Sequence, residues 1–167
     1  MAAKRRTDPR NKVKPIPAGH HTVTPYLACK GAAEAMAFYK KAFGAKEIMR
    51  MPGPGGTIGH AEMQIGDSRI MLTDEYPDMN FLGPTSRGGS TVHIHLYVPD
   101  ADKMAAQAVK AGGKLLRPVE EQFYGDRTGS IEDAWGHVWH LATHVKDVSM
   151  AELRKGAAKR AKEAEGK

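Results

Sequence analysis

The sequence predicts an α+β protein made by duplication: two tandem strand–helix–strand–strand–strand (βαβββ) units in a single domain. Three observations lead there. Thr91 to Val98, TVHIHLYV, alternates as a two-faced strand must, with Val92, Ile94, Leu96 and Val98 opposing Thr91, His93, His95 and Tyr97. The chain also matches itself at one gapless offset of 69 positions, which carries Thr22-Val23 onto Thr91-Val92, Leu27 onto Leu96, Gly44 onto Gly113 and Leu72 onto Leu141. Finally, 167 residues suffice for one domain with a full core.

Residues 1–20 are polar, basic and proline-containing and read as a disordered basic arm. The domain proper is expected over 21–146, with units at 21–74 and 91–145 joined by a linker over 75–90. The first strand is expected over about 21–29. Gly31 to Phe43 is a helix with Ala32, Met36, Tyr39 and Phe43 along one face, and Gly44 suits its left-handed end. Strands follow at 46–51, 58–65 and 69–74, separated by Pro52-Gly53-Pro54-Gly55-Gly56 and the tight turn Gly66-Asp67. The linker holds Pro77, Gly83, Pro84, Gly88 and Gly89, and its apolar Tyr76, Met79, Phe81 and Leu82 suit either a packed surface loop or a lid. In the second unit Asp100 caps a helix that Gly112-Gly113 stops. Strands are then expected at 114–118, 130–133 and 137–143, with Tyr124 to Arg127 in a loop. Ser149 to Glu152 has capping-box spacing and opens a basic C-terminal helix or tail over 147–167.

The formal charge of +6 suggests a nucleic-acid partner until it is located. Residues 1–20 carry +5 and 146–167 carry +3, which leaves the body at −2. The basicity therefore belongs to the ends, which lack interleaved aromatics, and no specific nucleic-acid partner is expected. A single cysteine, Cys29, excludes an intrachain disulfide framework. No apolar run reaches membrane-spanning length and no secretory core is visible, so no membrane partner and a cytoplasmic location are expected.

Two histidines and a tyrosine on the second face of Thr91–Val98 look like the lining of a cavity. The strings TPYLACKGAAEAMAFYKKAFGA, HAEMQIGDSRIML and YGDRTGSIEDAWGHVWHLATHVKDVS, with the repeated βαβββ order, resemble the vicinal-oxygen-chelate superfamily of glyoxalases, bleomycin-resistance proteins and extradiol dioxygenases, and within it the PhnB-like subgroup. The resemblance implies curved sheets around a cavity with helices outside, and a homodimer, for which Met79, Phe81 and Leu82 are candidate contacts. It places metal ligands at Thr24, Met71, His93 and His140, positions the repeat also pairs two by two. A threonine and a thioether leave half of a divalent-metal site missing. Glu62 and His60 share the polar face of the third strand; Glu62 with His93 and His140 would make a two-histidine, one-carboxylate site, and otherwise these residues line a metal-free pocket. Ligand-binding candidates are Tyr26, Arg69, His95, Tyr97 and Arg127. Trp139 is expected in the core, His137 and His144 are expected to be structural, and Cys29 has no local base to activate it. The expected function is small-molecule binding in a polar and aromatic cavity; a divalent-metal enzyme of the superfamily is the alternative, and a nucleic-acid-associated protein acting through its basic tails a remote one.

Overall fold

The computed structural model describes residues 13–166. It holds β1 (Tyr26–Cys29), α1 (Ala32–Phe43), β2 (Lys46–Pro52), β3 (Ile58–Ile65), β4 (Ser68–Asp74), α2 (Pro84–Arg87), β5 (His93–Tyr97), α3 (Ala101–Lys110), β6 (Lys114–Glu121), β7 (Asp126–Glu132), β8 (Val138–His144) and α4 (Met150–Glu165). Two four-stranded mixed sheets, ordered β1-β4-β3-β2 and β5-β8-β7-β6, form the duplicated α+β fold without closing on one another. The repeat reaches down to register: Tyr26 pairs with Met71 in the parallel β1–β4 ladder, and His95 with His140 in the β5–β8 ladder. No helix is long and apolar enough to cross a membrane among the described residues.

Each sheet turns one face to the helices. From the first unit Leu27, Cys29, Ala61, Met63, Ile65, Ile70 and Leu72 meet Ala35, Met36, Tyr39 and Phe43 of α1, and Ile131, Trp139 and Leu141 join the same core from the second. Burying side chains of this size contributes about 1.5–3 kcal/mol each. One core therefore serves both units, and Phe43 lies with its ring centroid 4.6 Å from that of Trp139.

The two helices start in the same way. Gly31 adopts φ 92°, which glycine tolerates, and carries no capping side chain of its own. Asp74, at the end of β4, supplies the cap: its Oδ1 accepts from Gly31 N at 2.8 Å and Ala32 N at 3.1 Å, and its Oδ2 from Ile58 N at 2.8 Å. A carboxylate there also suits the positive end of the helix. In the second unit Thr143, one repeat later, accepts from Ala101 N through its hydroxyl at 2.8 Å, while Asp100 caps Lys103 N at 2.9 Å.

Three expectations are corrected. The first strand starts at Tyr26 rather than near residue 21. β6 runs past Pro118 to Glu121, which an edge strand permits, and its register against β7 shifts between Arg117 and Glu120. β7 starts at Asp126, four residues before Ser130, so Asp126 and Arg127 stand in the sheet and not in a loop. Of the arm expected over 1–20, the first twelve residues lie outside the described residues. Residues 13–20 form no helix or strand, yet the His20 side chain is only 9 % exposed. The C-terminal helix opens on the expected Ser149–Glu152 capping box.

Asp74→Ala strips the partner from three backbone donors, and urea unfolding is expected to show a loss of about 2–4 kcal/mol. Thr143→Val removes two bonds at the matching place, the one accepted from Ala101 N and the one donated to Val98 O, and is expected to cost about 1–2 kcal/mol.

Candidate functional site

On the first sheet the face away from α1 carries a linked polar set. Tyr26 OH lies 2.8 Å from His60 Nδ1, and Arg69 Nη1 donates to Glu62 Oε2 at 2.7 Å. His60 Nε2 stands 3.8 Å from Glu62 Oε1, and His20 Nε2 stands 3.4 Å from Oε2. Glu62 and Arg69 face one another because their strands are antiparallel neighbours, with Glu62 opposite Met71 and Gln64 opposite Arg69. His20 was not singled out in the sequence, since nothing local marks a residue that reaches the sheet from the preceding segment.

The second sheet carries the histidines. His93 Nδ1 lies 3.0 Å from His140 Nε2, a spacing at which one ring donates and the other accepts. His95 stacks near His140, with centroids 6.1 Å apart, and packs on Tyr97 at 4.7 Å. Tyr97 OH donates to Asp126 Oδ2 at 2.9 Å, and His144 Nδ1 meets Asp126 Oδ1 at 2.7 Å. Burial, and then the neighbouring His93 and His95, hold His140 below the ordinary imidazole value. Asp126, and then Asp147, raise the exposed His144 above it.

Between the two sheets, beside the edge strands β1 and β5, runs a groove. Its wider part, about 800 Å³, has Pro25–Ala28 on one side and Thr91–His95 on the other, with Phe81–Pro84 and Arg87 of the linker and His137 completing the wall. A second cavity of about 740 Å³ shares Pro25, Ile94 and His95 with it, and adds Arg69, Tyr97 and an apolar floor of Phe43, Met104 and Trp139. Four of the five expected ligand-binding residues, Tyr26, Arg69, His95 and Tyr97, line this groove. Arg127 does not. It stands on the helix side of β7 and makes a two-pronged bond to Asp102 of α3, at 2.6 and 2.8 Å, because the strand begins before it. The linker forms part of the wall: Glu75 accepts from Gly83 N and Ser86 Oγ, and Phe81 packs edge-on against Tyr26 at 5.2 Å. Phe81 and Leu82 line the cavity and only Met79, 76 % exposed, projects freely.

Residues 19–141 match the model of the Glyoxalase/Bleomycin resistance protein/Dioxygenase superfamily. The chain belongs to this superfamily. It is 41 % identical over 135 residues to an uncharacterized protein of Mycobacterium tuberculosis, covering 79 % of each chain. Among solved structures it is similar to the PhnB protein of Bacillus cereus, with TM-score 0.57, 21 % identity, and 74 % and 99 % of the two chains covered. It is also similar to the fosfomycin resistance protein FosX of Mesorhizobium loti, with TM-score 0.55, 17 % identity, and 80 % and 96 % covered.

The divalent metal that the superfamily resemblance implies does not fit the donors present. His93 and His140 come together, but Met71, between Tyr26 on β1 and Glu62 on β3, offers a thioether where a hard cation needs oxygen or imidazole. Glu62 is held by Arg69 and flanked by His60 and His20, not by the histidine pair. Among the described residues no three of His, Cys, Asp and Glu form a metal-holding group. The expected Glu62–His93–His140 set is therefore corrected to an ion-paired glutamate on one sheet and a hydrogen-bonded histidine pair on the other.

A histidine whose folded pKa is lowered binds its proton more readily when unfolded. Its contribution to stability is complete above the ordinary value and is lost as pH falls through that value toward the lowered one. His144, raised, has the opposite sign: its contribution is lost as pH rises through the raised value. The difference between wild-type and His140→Gln unfolding curves isolates the first effect. The wild type is expected to lose more stability than the variant as pH falls below about 6.5. Parallel curves would show that His140 titrates normally.

Proposed function

We propose that the protein binds a small, largely apolar or aromatic molecule carrying an acidic group in the groove between the two sheets. The groove itself carries the reading. Apolar walls give area for burial, and in the wider part every polar side chain is neutral or cationic: Tyr26, Arg87, Ser90, Thr91, His93, His95 and His137, with no carboxylate on the lining. Pockets for small ligands have this make-up, mostly apolar with a few convergent polar groups, and a volume near 800 Å³ lies within their usual range. Arg87 already donates to Asn80 through Nη2, at 2.6 and 2.7 Å, which fixes the guanidinium while its remaining donors stay available to an anion.

Anilinonaphthalene sulfonate, aromatic and anionic, is a direct probe. Its fluorescence titration is expected to saturate at one molecule per chain. His95→Ala and Arg87→Ala are each expected to weaken binding about tenfold, or about 1.4 kcal/mol, while Arg127→Ala on the opposite face leaves it unchanged. Binding that ignores the first two substitutions would refute the assignment of the groove.

A further inference from the structure

His137 has more burial than its turn requires. It follows the β7–β8 turn, whose geometry is already supplied by Gly136 at φ 83° and by Asp133. The Asp133 carboxylate is fully buried; its Oδ1 accepts from Trp135 N at 3.0 Å and His137 N at 2.9 Å, and its Oδ2 from Tyr39 OH at 2.8 Å and Trp139 Nε1 at 3.0 Å. Those four bonds use only the backbone of residue 137. The imidazole, 7 % exposed, reaches the wall of the wider cavity. Its Nδ1 comes within 3.3 Å of Asp133 Oδ2 but off hydrogen-bond alignment, and is buried without a hydrogen-bond partner among the described residues. An unpartnered polar atom at this depth is costly, and charging the ring beside the Asp133 carboxylate would offset that cost.

The surrounding charges fix what that partner can be. Behind His137 stands Asp133. Burial would raise its carboxyl, but His137, Trp139 and Tyr39 hold it below the usual range, so it is an anion. Tyr39 on α1 and Cys29 on β1 lie beyond it and hold their protons: burial, and then Asp133, raise both, the thiol to about 12. On the cavity side the wall holds His93 and His95 of β5, Tyr26 of β1 and Arg87 of α2. A positive charge formed on His137 would face a buried carboxylate 3.3 Å away, and a negative charge formed on a ligand would share its cavity with that imidazolium and Arg87.

We propose that His137, backed by Asp133, accepts the proton of an acidic hydroxyl, a phenol or enol, on the molecule bound in the wider cavity. The ligand O–H bond breaks, its electron pair stays on oxygen, and an N–H bond forms on the imidazole. Charge is separated without any oxidant or reductant. This inference rests on the groove being the binding site and adds the chemical class of its ligand.

The test uses para-nitrophenol, whose phenolate is yellow, and para-nitroanisole, which has the same shape and no acidic proton. At a pH below the phenol's own pKa the wild type is expected to bind para-nitrophenol as phenolate. His137→Gln, which keeps the backbone donor to Asp133, is expected to lose at least tenfold more affinity for para-nitrophenol than for the anisole. Nitrogen NMR of the wild-type histidine rings provides a reading that needs no variant: the His137 signals are expected to move to the imidazolium position when para-nitrophenol is added. Binding without phenolate colour, equal binding by the variant, or an unmoved His137 signal would overturn the proposal. If neither nitro compound binds while anilinonaphthalene sulfonate does, this inference falls and the groove assignment stands. If the sulfonate fails as well, both fall.

Discussion

The bond between Tyr39 and the buried carboxylate of Asp133 is the joint on which the rest of the molecule depends. Among the described residues the two sheets share no strand ladder, so side chains must set their relative placement. Tyr39 belongs to the helix of the first unit and Asp133 to the turn of the second. A carboxylate taken out of water costs several kcal/mol, and only a full set of donors makes it tolerable. Asp133 has that set, two backbone N–H groups, a hydroxyl and an indole, and spans both units with it. Lesser ties run alongside: Trp135 Nε1 donates to Lys30 O at 3.0 Å, and Gln107 of α3 donates to Lys41 O and Ala42 O at the end of α1.

What this joint holds in place is the groove. Its walls come from β1 and β5, one strand of each sheet, so its width follows from how the units are set together. The linker closes one side, anchored to both units. Gly83 lies so close to Ala28 O that a side chain there would collide, and Gly136 lies against Pro84 and Thr85. The same arrangement separates the ionisable groups into two sets. Glu62 and Arg69 neutralise one another on the first sheet, and the second keeps a run of imidazoles ending at the Asp126–His144 contact.

The sequence made the fold legible because duplication is written into it. An offset of 69 positions needs no knowledge of contacts, and the matching registers at Tyr26–Met71 and His95–His140 are its structural expression. Strand alternation also placed His93, His95 and Tyr97 on one face. The site was less legible, for physical reasons. Arg127 was misplaced because Gly125-Asp126 reads as a turn, while the hairpin ladder continues through Asp126 opposite His144. Glu62 was offered to a metal because alternation reports the face of a strand and not the partner chosen there, which is Arg69. The buried Asp133 carboxylate beside His137 was not legible either, because its bond to Tyr39 of α1 joins the two units and no local pattern encodes it.

A double-mutant cycle on Tyr39→Phe and Asp133→Asn, read by urea unfolding, tests the joint most directly. Each single change is expected to destabilise by about 1–4 kcal/mol, with the loss in the double variant short of the sum by at least about 1 kcal/mol, because both remove the same bond. Losses that add to within about 0.5 kcal/mol would show that the two residues do not couple, and that something other than this bond joins the two units.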